Sequence, residues 1–425
     1  MASGFYYGYV ILALCFFNMV VMRGVTGSFS VFYVALLEEF PWSHGIGASI
    51  ASLNFLVYAL VSPLVGWAFD RLGPRLLIPL SAGLVGAGLY LSGLSNSLGD
   101  LYLAYGVVAA IGQAGLGFVS HSALISYWFV RRRGTAIGIA TMGQGLGAFL
   151  LIPLSQIFIS ALGWRAAFVD LAAVIILTIV PANAIFLRGR PADIGQLPDG
   201  GSVAAAARTE PERTKGVGPR EWSLRSALGS FPFWSITLGH LALGAGLFMI
   251  YTHLVAHLAR QGLDKLVAAF IVGFIGSMRI GGTLFWGFVS DRLGRGMAYR
   301  IALLITLVGI ASLIAIGPGS PLWFVYGAAI VYGIGHSAGN PTYGALIGDI
   351  FAGATVGTIF GFLEISFGLG SAFGAWFGGY VYDLTGSYRW AFSLGLVTFS
   401  LSYFAVRASL LWQAREAATG KGAGQ

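Results

Sequence analysis
Apolar runs of roughly 20 residues recur along the whole of this chain, and no other feature constrains its fold as tightly. A helical run of that length crosses a ~30 Å hydrocarbon layer. No water reaches backbone amides inside that layer, so each crossing must satisfy its own hydrogen bonds and be a helix. Composition agrees: 57% of the 425 residues are hydrophobic, only 9% are charged, and mean hydropathy is +0.81. A water-exposed surface takes about 25% charged residues. The chain is therefore read as an all-α, polytopic membrane protein.

Breaks of charge, proline and glycine divide the apolar runs into twelve expected spans. They cover 7–37, 44–69, 76–95, 100–128, 134–161, 164–187, 231–259, 266–289, 297–316, 321–348, 357–383 and 388–412. Residues 188–230 form the one long polar segment, expected to be a cytoplasmic linker. It separates a six-helix half over 1–187 from a second over 231–425, which ends in a short cytoplasmic tail. The opening "MASGFYYGYVILALCFF" lacks a basic leader and stays apolar, so the first helix is expected to be its own insertion signal.

Of the 24 basic residues, 18 fall on the side of both termini and four on the other. The remaining two, Arg23 and Arg279, lie within spans. Basic residues accumulate on the cytoplasmic side, so both termini are expected there. This distribution accounts for the +8 net charge without nucleic acid. The 63 glycines suit close helix packing in lipid, and "GLVGAGLYLSG" (83–93) and "GQGLGAF" (143–149) read as packing faces. Neither sits between a strand and a soluble helix, as a phosphate-binding loop would. The single Cys15 leaves no intrachain disulfide to form.

The two halves repeat at an offset of about 222 residues. "GWAFDRLGPR" (66–75) matches "GFVSDRLGRG" (287–296), and "YGVVAAIGQAG" (105–115) matches "YGAAIVYGIGH" (326–336). "GTAIGIATMGQGLGAF" (134–149) matches "GTIFGFLEISFGLGSAF" (357–373), and "GWRAAF" (163–168) matches "SYRWAF" (387–392). Four matches in order and in register indicate duplication. An even number of helices per half makes the repeats parallel, a plan that puts a substrate site at the midplane between halves.

These features resemble a major facilitator superfamily transporter over nearly the whole chain. The 6+6 plan carries the likeness, with the loop "GWAFDRLGPR" and its repeat resembling that superfamily's G-x-x-x-D-R-x-G-R-R signature. Within it the chain is similar to bacterial-type members of the monocarboxylate (lactate/pyruvate) transporter family, through "YWFVRRRGTAIGIATMGQGLG" (127–147) and "FYYGYVIL" (5–12). The resemblance implies two six-helix halves related by a pseudo-two-fold axis. It also implies alternating access and a cytoplasmic inner-membrane setting. In the family's animal members an Asp stands one turn before the helix-8 arginine, and helix 1 carries a Lys. Here Ile275 stands at the first position and Gly27 at the second, with Arg23 one turn earlier as a partial substitute.

Arg279 lies halfway along the eighth span, too deep to reach either surface. A lone arginine at the bilayer centre costs about 2.5–3.5 kcal/mol on insertion scales, so it should face protein or a cavity. Its planar guanidinium can hold a carboxylate by two parallel hydrogen bonds or serve a structural ion pair. The family resemblance favours substrate binding. Tyr332 and His336 fall on one helical stripe with Asn340 and Tyr343, and are expected to contact a substrate oxygen or another helix. Glu364 and Arg23 are the proton-coupling candidates. Gly66, Asp70, Arg71, Gly73 and Arg75, with Gly287, Asp291, Arg292, Gly294 and Arg295, form the two loops that the resemblance makes cytoplasmic gates.

His253 and His257 have an i, i+4 spacing, but no third ligand or general base accompanies them, so no metal site is expected. No catalytic constellation or cofactor motif is found, which excludes an enzyme reading. The expected partners are a small monocarboxylate anion, a proton and membrane lipid, with the chain acting as a monomer. The reading that follows is proton-coupled symport of a monocarboxylate such as lactate or pyruvate. Exchange of oxalate/formate-type anions on the same scaffold is the alternative.

Overall fold
The structure, a computed structural model, describes residues 5–200, 222–339, 343, 346–347, 350–351 and 356–419. Among these residues every regular element is helical. The first half comprises α1 (Gly8–Glu39), α2 (His44–Leu72), α3 (Pro74–Gly93) and α4 (Leu98–Trp128). A continuous helical stretch, Arg133–Phe186, then turns at Gly163, whose φ of 82° and ψ of 162° are non-helical. A positive φ is cheap only without a β-carbon, so this glycine splits the stretch into α5 (133–162) and α6 (164–186). The second half comprises α7 (Phe231–Arg260), α8 (Lys265–Leu293), α9 (Arg295–Ala315), α10 (Leu322–His336), α11 (Val356–Thr385) and α12 (Tyr388–Thr419). All twelve expected helices are present. The described part of α10 stops short of the expected span, because most of 340–349 lies outside the described residues.

The duplication is visible in the packing. α1 lies on α5, and α7 lies on α11 in the same way. A β-carbon at Gly143 would sit 2.3 Å from the Phe16 carbonyl oxygen, and one at Gly147 2.1 Å from that of Val20. In the second half Gly370 and Gly374 each bring such a position to 2.0 Å from the carbonyl oxygens of Leu241 and Ala245. Glycines four residues apart thus let two backbones touch in each half, as the "GQGLGAF" reading expects. Between halves, α2 packs on α11 and α5 on α8, again a symmetric exchange. Gly145 and Gly276 make the second crossing, where a β-carbon on Gly276 would stand 2.3 Å from that of Ala148.

Part of the expected linker is a docked strap. Asp199 Oδ2 accepts hydrogen bonds from the amides of Val130 (3.1 Å) and Arg131 (2.8 Å) in the α4–α5 turn. Gln196 joins it to the chain's start, accepting from the Tyr7 amide and donating to the Phe5 carbonyl, both at 3.0 Å. Tyr6 donates to the Trp128 carbonyl and accepts from the Asp199 amide. Burial pushes the Tyr6 hydroxyl up to about 12, so it remains a donor across the physiological range. Polarity alone reads such a stretch as free linker; the strap forms because its carboxylate satisfies exposed turn amides. Residues 201–221 lie outside the described residues, and a short capped helix, Leu224–Leu228, leads into α7.

Candidate functional site
The deepest cations meet where the halves face each other. Arg23, from α1, is only 7% exposed and lays its guanidinium over two rings of α7, Phe248 (5.4 Å) and Tyr251 (5.0 Å). Such stacking offsets part of the cost of burying a cation. The guanidinium also hydrogen-bonds the Tyr251 side chain, and Arg23 Nε has no hydrogen-bond partner among the described residues. Arg279, from α8, lies close enough to act electrostatically on Arg23, Tyr251 and His336. Among the described residues neither arginine forms an ion pair. Two like charges this close, one buried and one partly buried, repel each other, and no acidic side chain among the described residues offsets them.

A narrow cavity opens beside them, lined by Arg23, Thr26, Ser30, Asn54, Tyr251 and Thr252 among others, with room for about one water. Arg23 rather than Arg279 is the cation on its wall. The α10 residues flank it. His336 Nδ1 lies 2.9 Å from the Tyr332 carbonyl, and its Nε2 lies 3.3 Å from Tyr251 Oη. The rings of Tyr332 and His336 stack at 4.9 Å, and the buried Tyr332 hydroxyl has no partner among the described residues. The expected stripe therefore divides: Tyr332 and His336 reach the arginines, whereas Tyr343 bonds Ser402 Oγ at 2.9 Å in its own half. Asn340 lies outside the described residues.

Glu364 stands apart from this cluster. It is partly exposed on α11 and acts electrostatically on Tyr58 of α2 across the interface between halves. Among the described residues it forms no ion pair. The two proton-coupling candidates thus keep different company, Glu364 beside Tyr58 and Arg23 in the arginine–aromatic cluster. His253 Nε2 is 2.8 Å from the Ala375 carbonyl, a helix-packing bond, and no group of three metal donors occurs among the described residues.

At one end of the molecule, polar contacts tie the two halves together. Asp383 near the end of α11 accepts from the amides of His44 and Gly45, both at 2.7 Å, at the start of α2. Its Oδ1 also lies 3.2 Å from His44 Nδ1. Lys265 pairs with Glu38 at 2.6 Å, the hydroxyls of Tyr33 and Tyr388 meet at 3.2 Å, and Ser52 donates to the Ala372 carbonyl at 2.7 Å. The hydrogen bonds and ion pairs just named all join one half to the other on this side. The D-R-L-G loops lie at the opposite end. Gly73 and Gly294 take φ of +74° and +81°, the turns that give both loops the same shape. Asp70, Arg71 and Arg75 are exposed, and Asp70 forms no ion pair among the described residues. Arg71 stacks on Trp67 (5.3 Å), Arg292 on Phe288 (4.1 Å), and Arg295 donates to Ser290 Oγ at 3.0 Å. Gly66 and Gly287 have open surroundings, and the Asp291 side chain lies outside the described residues.

Phe248 and Tyr251, which touch Arg23 and line the cavity, were not singled out from the sequence. The repeat held a signal: an offset of about 222 sets Tyr251 opposite Phe29, and both line the cavity.

Comparison with known proteins agrees with this architecture. The family model described as Major Facilitator Superfamily matches residues 12–331 and 279–424. Monocarboxylate transporter 13 of Rattus norvegicus is 28% identical over 388 residues, 91% of this chain and 85% of that protein. Monocarboxylate transporter 11 of Homo sapiens is 28% identical over 395 residues, 91% and 80% of the two chains. Among solved structures, a bacterial homolog of the human lysosomal transporter Spinster, inward-facing and occupied, aligns with a TM-score of 0.70 at 19% identity, covering 96% of each chain. A D-xylose–proton symporter aligns with a TM-score of 0.70 at 16% identity, covering 93% of this chain and 97% of that one. These last two likenesses bear on fold alone.

Proposed function
This chain belongs to the Major Facilitator Superfamily, an integral membrane transporter rather than an enzyme, and on that premise we propose that it carries a small monocarboxylate with a proton by alternating access. One observation carries the reading: a buried Arg23 and a partly buried Arg279, neither with an ion partner among the described residues, the first lining a cavity between the halves. An anion is what such a site lacks, and a carboxylate matches the planar fork of a guanidinium. The named relatives, monocarboxylate transporters, support the same class.

In this reading the halves, 1–187 and 231–425, rock about the site, with 188–230 linking them on the cytoplasmic side. Both termini and the D-R-L-G loops are cytoplasmic in this reading, so the end tied by Asp383 faces outward. Asp70, without an ion partner among the described residues, gains one when the other end opens. An anion entering a negative-inside cell is opposed by about 2.3 kcal/mol per charge per 100 mV, and one co-transported proton removes that cost. Glu364 is the proton carrier, a carboxylate without an ion partner at the interface that must slide.

Uptake of labelled L-lactate and pyruvate into proteoliposomes tests this directly. An inside-alkaline gradient should drive accumulation, and Glu364→Gln should keep exchange while abolishing that accumulation. Equal accumulation with and without the gradient would remove the proton. The arginine pair itself favours a second reading, exchange of a dicarboxylate, since each guanidinium could hold one end. Uptake of labelled oxalate that requires internal oxalate and ignores the gradient would favour exchange over symport.

A further inference from the structure
The cavity wall has a hydrogen-bonding polarity that the arginines do not explain. A carbonyl oxygen only accepts, so the 2.9 Å contact of His336 Nδ1 with the Tyr332 carbonyl sets the ring proton on Nδ1. The neutral ring then offers Nε2 as an acceptor. Tyr251 Oη, 3.3 Å away, must donate to it. Its proton is committed, the Arg23 guanidinium donates to the same oxygen, and what Tyr251 has left to offer at the cavity wall is lone-pair acceptance. Three other lining hydroxyls are committed in the same sense. Thr26 donates to the Met22 carbonyl (2.9 Å), Ser30 to the Gly27 carbonyl (2.8 Å) and Tyr105 to the Val25 carbonyl (3.5 Å). The Asn54 amide nitrogen likewise donates to the Tyr105 carbonyl at 2.8 Å. The charged donors on this wall come from Arg23, the Thr252 hydroxyl and the second Asn54 N–H are its neutral donors, and the oxygens of Tyr251, Thr26, Ser30 and Tyr105 are left to accept.

From this pattern we infer that Tyr251 determines specificity by presenting an acceptor oxygen to the substrate, so that the site prefers a 2-hydroxy carboxylate to the matching 2-oxo carboxylate. The inference rests on the carboxylate-transport reading above and refines its substrate. A carboxylate on the guanidinium side brings its C2 substituent towards the Tyr251 oxygen, which stands over the same cation. A C2 hydroxyl donates there. A C2 carbonyl oxygen instead sets lone pairs against lone pairs and leaves both groups unsatisfied, a loss that sites built for a hydroxyl turn into discrimination. His336 does not touch the substrate in this scheme. It is a positioning residue, holding the Tyr251 proton away from the cavity.

The test is initial uptake into proteoliposomes of three acids on one carbon skeleton: L-lactate, pyruvate and propionate. The wild-type protein should favour lactate over pyruvate at least about tenfold in uptake efficiency. Tyr251→Phe keeps the ring under Arg23 and removes the oxygen, and should narrow that ratio to within about threefold while propionate reports a working carrier. His336→Leu frees the Tyr251 proton to donate, and should raise pyruvate relative to lactate. Equal wild-type uptake of lactate and pyruvate would overturn the inference and leave carboxylate transport standing. Absence of uptake for all three acids would overturn the transport reading beneath it. A Tyr251→Phe protein that carries none of them, or keeps the full wild-type ratio, would also overturn the inference.

Discussion

The two ends of this molecule are built from the same duplicated parts, yet only one holds the halves together by hydrogen bonds and ion pairs described here. At the tied end a carboxylate, Asp383, caps the first amides of a helix from the opposite half, supported by Lys265–Glu38 and Tyr33–Tyr388. At the other end Asp70 and its neighbouring arginines are exposed, although they belong to the most recognisable motif in the chain. The lesson is that a motif's conspicuousness does not reveal which contacts are formed in a given state. A carrier that alternates needs each seal weak enough to break, and short polar contacts satisfy that better than a large apolar interface. Between the two ends lies the arginine pair, the feature both seals must serve.

The largest expected effect comes from the middle. Arg279→Lys keeps the charge but loses the planar fork, and should lower the initial rate of carboxylate uptake by about a hundredfold with helix content unchanged. Normal uptake would mean that the site between the two ends does not use Arg279. Next is Asp383→Asn, which weakens two charge-assisted bonds at the tied end. Such bonds contribute about 1.5–3 kcal/mol each, so the equilibrium should shift at least about tenfold towards opening there. Ser30→Cys, on the cavity wall, should then react that much faster with an impermeant thiol reagent added from that side, against a low background because Cys15 is buried. An unchanged labelling rate would show that Asp383 is not the seal. The smallest effect belongs to Lys265→Gln, because both partners of that ion pair are well exposed and water screens them. Labelling of the same cysteine should change less than about twofold; a larger change would move the seal from Asp383 to the rim.

Much of the fold was legible because lipid removes choices. The twelve helices, the turn at Gly163 and the packing glycines of 143–149 all follow from apolar length, breaks and small-residue spacing, and they agree with the structure. Arg279 stood out for the same reason, as a cation in mid-span, and the structure places it near Arg23, Tyr251 and His336 without making it part of the cavity wall. Tyr251 was not legible, because an aromatic residue in an apolar helix looks the same whether it packs or lines a site. Nor was the different company kept by Glu364 and Arg23, which depends on which helices adjoin across the interface. The strap at 188–200 was read as linker, since its cohesion rests on Asp199 reaching amides about seventy residues away in the α4–α5 turn.

By itself, then, the sequence determined a duplicated twelve-helix membrane carrier with charge buried at its midplane, because hydrophobic length and unsatisfied polarity are local costs that lipid enforces residue by residue. Tertiary structure alone decided that Arg23 and Arg279 meet, that Tyr251 stands between them and His336, and that polar contacts tie one end. Those facts depend on how separate helices approach one another, and nothing in the spacing along a single helix carries that information.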